Sequence, residues 1–139
     1  RDIVATGKDN FVLSIAVKPD PINARHQYFQ DWAYWLQEGL CDQVLIMNYT
    51  TDFDAFKLNL IRAGDTGMPG KIVVGIATYN QGVREVKRRI FMVNHLDFAG
   101  IALFSYNHLA EEKQYLNSLS LVLGKGAQNV GNDPRTKGN

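Results

Sequence analysis

The sequence predicts an α/β protein built from four consecutive parallel β/α units. Two observations lead there. Four short apolar runs, 11–17, 43–49, 71–77 and 98–104, recur along the chain, and segments with helical period follow them. The runs are nearly continuous in apolar character rather than alternating, as strands covered on both faces of a parallel sheet are. At 139 residues, 45% hydrophobic and 21% charged, the chain suits one domain around one core.

The first run, Phe11 to Val17, is followed by an apolar stripe of Phe29, Trp32, Leu36 and Leu40, with Trp35 beside it and Gly39 as the terminating glycine. The second run, Gln43 to Tyr49, precedes a face of Phe53, Phe56 and Leu60, flanked by Leu58 and Ile61. That helix is expected to end near Gly64, with Gly67-Met68-Pro69-Gly70 as the loop. The third run, Lys71 to Ala77, is the clearest strand. After it Val83, Val86, Ile90 and Val93 recur with helical spacing, with Asn80 as the expected N-cap. The basic run Arg84 to Arg89 reads as a solvated helix face. The fourth run, Phe98 to Phe104, leads to a last helix lined by Leu109, Leu116, Leu119 and Leu123 and stopped at Gly124. Residues 1–124 form the expected domain, with Arg1 to Asp9 as the tail of an earlier helix. Residues 125–139, polar and rich in Gly and Asn, read as a flexible tail.

Composition excludes several function classes. A net charge of +1 gives no reason to expect nucleic acid or an anionic membrane as partner. No apolar run approaches the roughly 18 residues of a membrane span. The single cysteine, Cys41, excludes an internal disulfide and a cysteine zinc cage, and its place at the mouth of an apolar run reads as a buried, inert thiol. His26, His95 and His108 have no metal-ligand spacing, and no cofactor is expected. The start at Arg1-Asp2 reads as that of a piece cut from a longer protein.

Four β/α units fit either an open doubly wound sheet or half of a (β/α)8 barrel, whose full length is about 250 residues. No glycine-rich phosphate loop follows any strand, which disfavours a nucleotide-binding open sheet. Particular strings point to the barrel. They are Asp31-Trp32-Ala33-Tyr34-Trp35-Leu36, Gly39-Leu40-Cys41-Asp42, Leu45-Ile46-Met47-Asn48-Tyr49, Lys71 to Tyr79, and Gly100-Ile101-Ala102-Leu103-Phe104-Ser105-Tyr106. Together, over Phe11 to Leu123, they resemble the second half of the glycosyl-hydrolase-like family ten, with similarity to chitinase-like barrels. The resemblance implies that the four strands are the fifth to eighth of a (β/α)8 (TIM) barrel. It also implies that a catalytic carboxylate at the end of the fourth strand lies before Arg1, so the catalytic site is incomplete in this chain.

Barrel sites lie at the C-terminal ends of the strands. That rule selects Lys18, Pro19 and Asp20 after the first strand, and Asn48, Tyr49 and Asp52 after the second. It selects Thr78, Tyr79, Asn80 and Gln81 after the third, and Ser105, Tyr106, Asn107 and His108 after the fourth. Aromatic faces and amides are what a sugar site needs: rings cover the apolar face of a pyranose and amides bond its hydroxyls. Tyr49 matches the tyrosine that supports the reacting sugar in chitinase-like barrels, so Tyr49 and Asp52 are the catalytic candidates. Asn48, Tyr79, Asn80, Gln81, Ser105, Tyr106 and Asn107 are the substrate-binding candidates. Glycoside hydrolysis takes two carboxyls; Asp52 could supply one, or could simply cap the helix at Phe53. Asn80 is read as a helix cap before a ligand, and Asp20 as a turn residue. Trp32 and Trp35 lie inside a helical stripe and are read as packing.

The expected function is a fragment of a secreted, periplasmic or cell-surface glycoside hydrolase, its location implied by the resemblance. The alternative is a non-catalytic carbohydrate-binding or structural half-barrel. The expected partners are a carbohydrate substrate and the missing N-terminal half of the barrel. A second copy could close the ring from four strands plus four, through edges at 11–17 and 98–104.

Overall fold

The computed structural model describes residues 11–123. The expected earlier-helix tail and polar tail lie outside them. Within them the order is β1 (Ser14–Val17), α1 (Pro21–Tyr28), α2 (Trp32–Gln37), β2 (Gln43–Met47), α3 (Phe53–Gly64), β3 (Ile72–Ala77), α4 (Val83–Asn94), β4 (Gly100–Phe104), α5 (Tyr106–Glu111) and α6 (Lys113–Leu123). A short 3-10 turn, Pro69–Lys71, precedes β3. The strands form one parallel sheet in the order β1-β2-β3-β4. This is a TIM-barrel-like arrangement, consistent with half of a β/α barrel.

The sheet is covered on one face, not both. Val17, Val44, Ile46, Ile72, Val74 and Ile76 are fully buried and form the core with Trp32, Leu36, Phe56, Leu60, Val86, Ile90 and Val93 of the helices. The pairings Val17↔Ile46↔Val74 and Ile76↔Leu103 put these residues on one side. On the other side Ser14, Ala16 and Phe104 are exposed, and Leu45, Met47, Val73 and Ala102 are half-buried. Apolar character on both parities predicts two covered faces; one is open among the described residues.

The strands are also shorter than their apolar runs, and Phe11 and Val12 are exposed ahead of β1. At that end Asp42 ties the edge: its Oδ2 accepts from Leu13 N at 2.8 Å, and its own N–H donates to Leu13 O at 3.0 Å.

Of the expected Phe29–Leu40 stripe only Trp32 and Leu36 lie in one helix, α2; Phe29 caps a separate helix, α1, and Leu40 follows α2. Asp20, read as a turn residue, is the N-cap of α1, accepting from Ile22 N at 3.0 Å and Asn23 N at 3.4 Å, with Pro21 at the first helical position. Its other oxygen pairs with Arg62 of α3. Phe29 closes α1 in the left-handed conformation, φ 56°, and stands in solvent rather than in the stripe. Trp32 keeps its expected packing role. It is fully buried and its Nε1 donates to Lys18 O at 3.0 Å, while Lys18 N donates to Gln30 Oε1 at 2.9 Å. Side chains of the α1–α2 segment thus satisfy the backbone where β1 ends. Gly39 terminates α2 with φ 63°, as its place predicts. Leu40 is exposed.

Two readings of the third unit are corrected. The N-cap of α4 is Gly82, not Asn80. Arg89 is not on a solvated face but fully buried. Its guanidinium carbon lies 5.5 Å from the Phe53 ring centre and 5.2 Å from that of Phe56, and Nη2 donates to Thr51 O at 2.8 Å. In the fourth unit the single expected helix is two, α5 and α6, separated at Glu112. Leu119 is its buried residue, and Leu116 is exposed.

Candidate functional site

The open face of the sheet carries an aromatic cluster at the C-terminal ends of the strands. Residues 45, 47 and 49 of the β2 segment share this face with Val73, Gly75 and Ala77 of β3 and with Ala102 and Phe104 of β4. The rings of Tyr49 and Phe104 stack with centroids 5.3 Å apart and planes 11° apart, and Tyr79 meets Phe104 edge-on at 6.4 Å. Tyr49 and Phe104 lie on either side of β3, where the intervening residues are the small, buried Gly75 and Ala77. Had β3 carried larger side chains there, the rings could not meet. Phe104 and Tyr79 are each 51% exposed and Tyr106 is 80% exposed. The cluster is therefore a shallow aromatic surface open to solvent, with the Tyr49 ring half-buried at its base. Burial raises the Tyr49 hydroxyl above its ordinary pKa, and the neighbouring Tyr79 adds to the rise.

Loop polar groups hold the surface in place. Asn80 Nδ2 donates to Tyr49 O at 3.3 Å, joining the loops after β2 and β3. Gln81 Nε2 donates to Ala77 O at 3.0 Å, and Gln81 O accepts from Tyr115 Oη at 2.9 Å. Thr78 N–H donates to Phe104 O at 2.6 Å, joining β3 to the end of β4. The Phe104–Ser105 peptide that leads out of β4 is cis. Ser105 then precedes α5 as its N-cap, and Tyr106 and Asn107 open that helix, both exposed. The His108 ring meets Tyr115 edge-on at 5.1 Å.

The structure separates the candidates that the sequence groups together. Tyr49, Tyr79 and Asn80 meet beside Phe104. Asn48 does not join them: it is fully buried on the helix side, with Nδ2 donating to Phe56 O at 3.1 Å and Oδ1 accepting from Asn59 Nδ2 at 2.9 Å. Its amide is used to fix α3 against the end of β2. Asp52 caps α3, accepting from Asp54 N at 2.8 Å and Ala55 N at 3.2 Å through one oxygen. Phe104 was not among the sequence candidates. Its signal was strand parity with Tyr49 across β3, which needs the sheet register to be read. Arg89 was also missed. By binding the carbonyls of Thr50 and Thr51 it fixes the loop between Tyr49 and Asp52.

Among the described residues no group of three or more His, Cys, Asp or Glu could hold a metal ion, and no helix is long and apolar enough to cross a membrane. No family model, curated protein or solved structure matches the chain. The fold and site define a TIM-barrel-like α/β chain with an open sheet face and an aromatic surface at the strand ends.

Proposed function

We propose that this chain is the C-terminal half of a (β/α)8 barrel of the glycoside-hydrolase type, and that its aromatic rim binds a glycan. The observation that carries the reading is the Tyr49–Phe104–Tyr79 cluster at the C-terminal strand ends, the end that barrel enzymes use. Flat, solvent-open rings suit the C–H face of a pyranose, and exposed amides stand near them, Asn80 on the loop after β3 and Asn107 in the first turn of α5. The open sheet face supports the half-barrel: in a closed barrel the half-buried Leu45, Met47 and Val73 would meet side chains from the missing strands. The N-terminal half of the parent is the proposed cover, and a second copy closing the ring is the competing one. The resemblance to that barrel group also implies a secreted, periplasmic or cell-surface location for the parent.

One observation favours binding over catalysis within this chain. The two aspartates nearest the ends of β1 and β2, Asp20 and Asp52, both serve as helix caps. Hydrolysis therefore takes a carboxylate from the N-terminal half, and this chain contributes the sugar-binding surface.

Calorimetric titration with chito- and cello-oligosaccharides tests the reading. Binding to the parent should be lost in Tyr79→Ala with an unchanged melting temperature, while Tyr49→Phe weakens turnover or binding. Absence of binding and of released reducing sugar for the whole parent would overturn it.

A further inference from the structure

The helix layer holds a second surface, on the opposite side of the sheet from the rim. Between α3 and α4 lies an apolar groove of about 590 Å³, whose walls include Ile61 and Phe91. It continues into a hollow of about 310 Å³, and the two share Leu60, Ile61 and Leu96. Ile61 is 59% exposed and Phe91 61%. Contiguous large apolar side chains in solvent mark an interaction surface.

Charge divides along this surface. Lys57 and Arg88 line the first part, and Asp65 and Asp97 line the second. Lys57 also pairs with the exposed Asp54 at 2.7 Å, and the Arg88 guanidinium lies 3.5 Å from the Phe53 ring centre. A strip that is cationic at one end, acidic at the other and apolar between is complementary to itself after a half-turn. A two-fold axis through the shared Ile61–Leu96 segment brings the Lys57/Arg88 end of one copy onto the Asp65/Asp97 end of the other. It also buries the apolar middle of both. Each contact then occurs twice, as in an isologous interface. A foreign partner would have to supply this inverted charge order; a second copy carries it already.

We propose that the α3–α4 face docks a second copy of this chain about such an axis. The contact uses neither the aromatic rim nor the sheet edges, so it stands apart from the glycan reading and is compatible with a completed barrel.

Sedimentation equilibrium with charge-reversed variants provides the test. The chain should self-associate, and K57E/R88E and D65K/D97K should each weaken association about tenfold or more, with unchanged circular dichroism. An equimolar mixture of the two double variants should recover a dimer, because one then presents acid at both ends and the other base. That heterodimer should weaken at high salt. The proposal is overturned if the chain stays monomeric up to about 1 mM, if neither double variant weakens association, or if the mixture associates no better than its components. Association that survives both double variants but is abolished by Phe104→Asp would place the contact on the sheet face and equally overturn it.

Discussion

Gly75 lies directly beneath Tyr49: a Cβ at position 75 would stand 3.0 Å from Tyr49 Cε1. The same Cβ would stand 2.9 Å from Ile46 O and 3.2 Å from Leu45 Cδ2. The tightest of these neighbours is backbone of the adjacent paired strand, which cannot swing aside. Gly75→Ala is expected to cost about 1–3 kcal/mol by overpacking and to lift Tyr49 from Phe104. Chemical denaturation measures the first effect, and oligosaccharide titration of the parent the second. Unchanged stability would show that β2 and β3 separate freely at this point.

Trp32→Ala should be among the most damaging single changes. It removes a fully buried ring and the indole donor to Lys18 O. The expected loss is about 3–5 kcal/mol. Trp32→Phe, which keeps an aromatic ring but no donor, should lose much less. A loss of sugar affinity without destabilisation would overturn the packing role.

Arg89 joins α4 to the loop after β2. Arg89→Met keeps apolar bulk between Phe53 and Phe56 but removes the donors to Thr50 O and Thr51 O. A loss of about 1–3 kcal/mol is expected for removing a charged donor from these part-buried hydrogen bonds. Faster amide exchange at Asp54 and Ala55, which the Asp52 cap protects, should accompany it. Exchange and stability equal to those of the parent chain would show that the loop holds itself.

Stability should fall at high pH through Tyr49 and Tyr115. Burial raises both hydroxyls above their ordinary value of about 10. A group whose pKa is raised by folding contributes its full stability below the unfolded value and loses it as pH climbs to the folded value. Melting temperature should therefore decline from about pH 10 upward, and the decline should be shallower in Tyr49→Phe. An identical slope in the variant would show that Tyr49 is not desolvated in solution.

Cys41 should react slowly with thiol reagents in the native state. Its side chain is buried, and its thiol is raised above the ordinary value by that burial and then by the Asp42 carboxylate. Labelling should keep pace with unfolding across a denaturant series. Rapid labelling of the folded chain would contradict the buried placement.

The sequence by itself determined the order and kind of the units. Apolar runs such as Ile72-Val73-Val74-Gly75-Ile76 mark strands, and Gly39 and Asp52 mark helix ends, because these signals depend on neighbours a few residues away. Tertiary structure decided which surfaces meet. Asn48 and Tyr49 are adjacent in sequence and look alike as rim candidates, yet successive strand residues point to opposite faces, so one fixes α3 and the other meets Phe104. Arg89 sits in a basic run that reads as solvated, but Phe53, Phe56, Thr50 and Thr51 enclose it from another unit. The aromatic surface depends on Gly75 and Ala77 being small where Tyr49 and Phe104 reach across β3. Local pattern fixes what each segment becomes, while the register between segments distant in sequence fixes what each side chain touches.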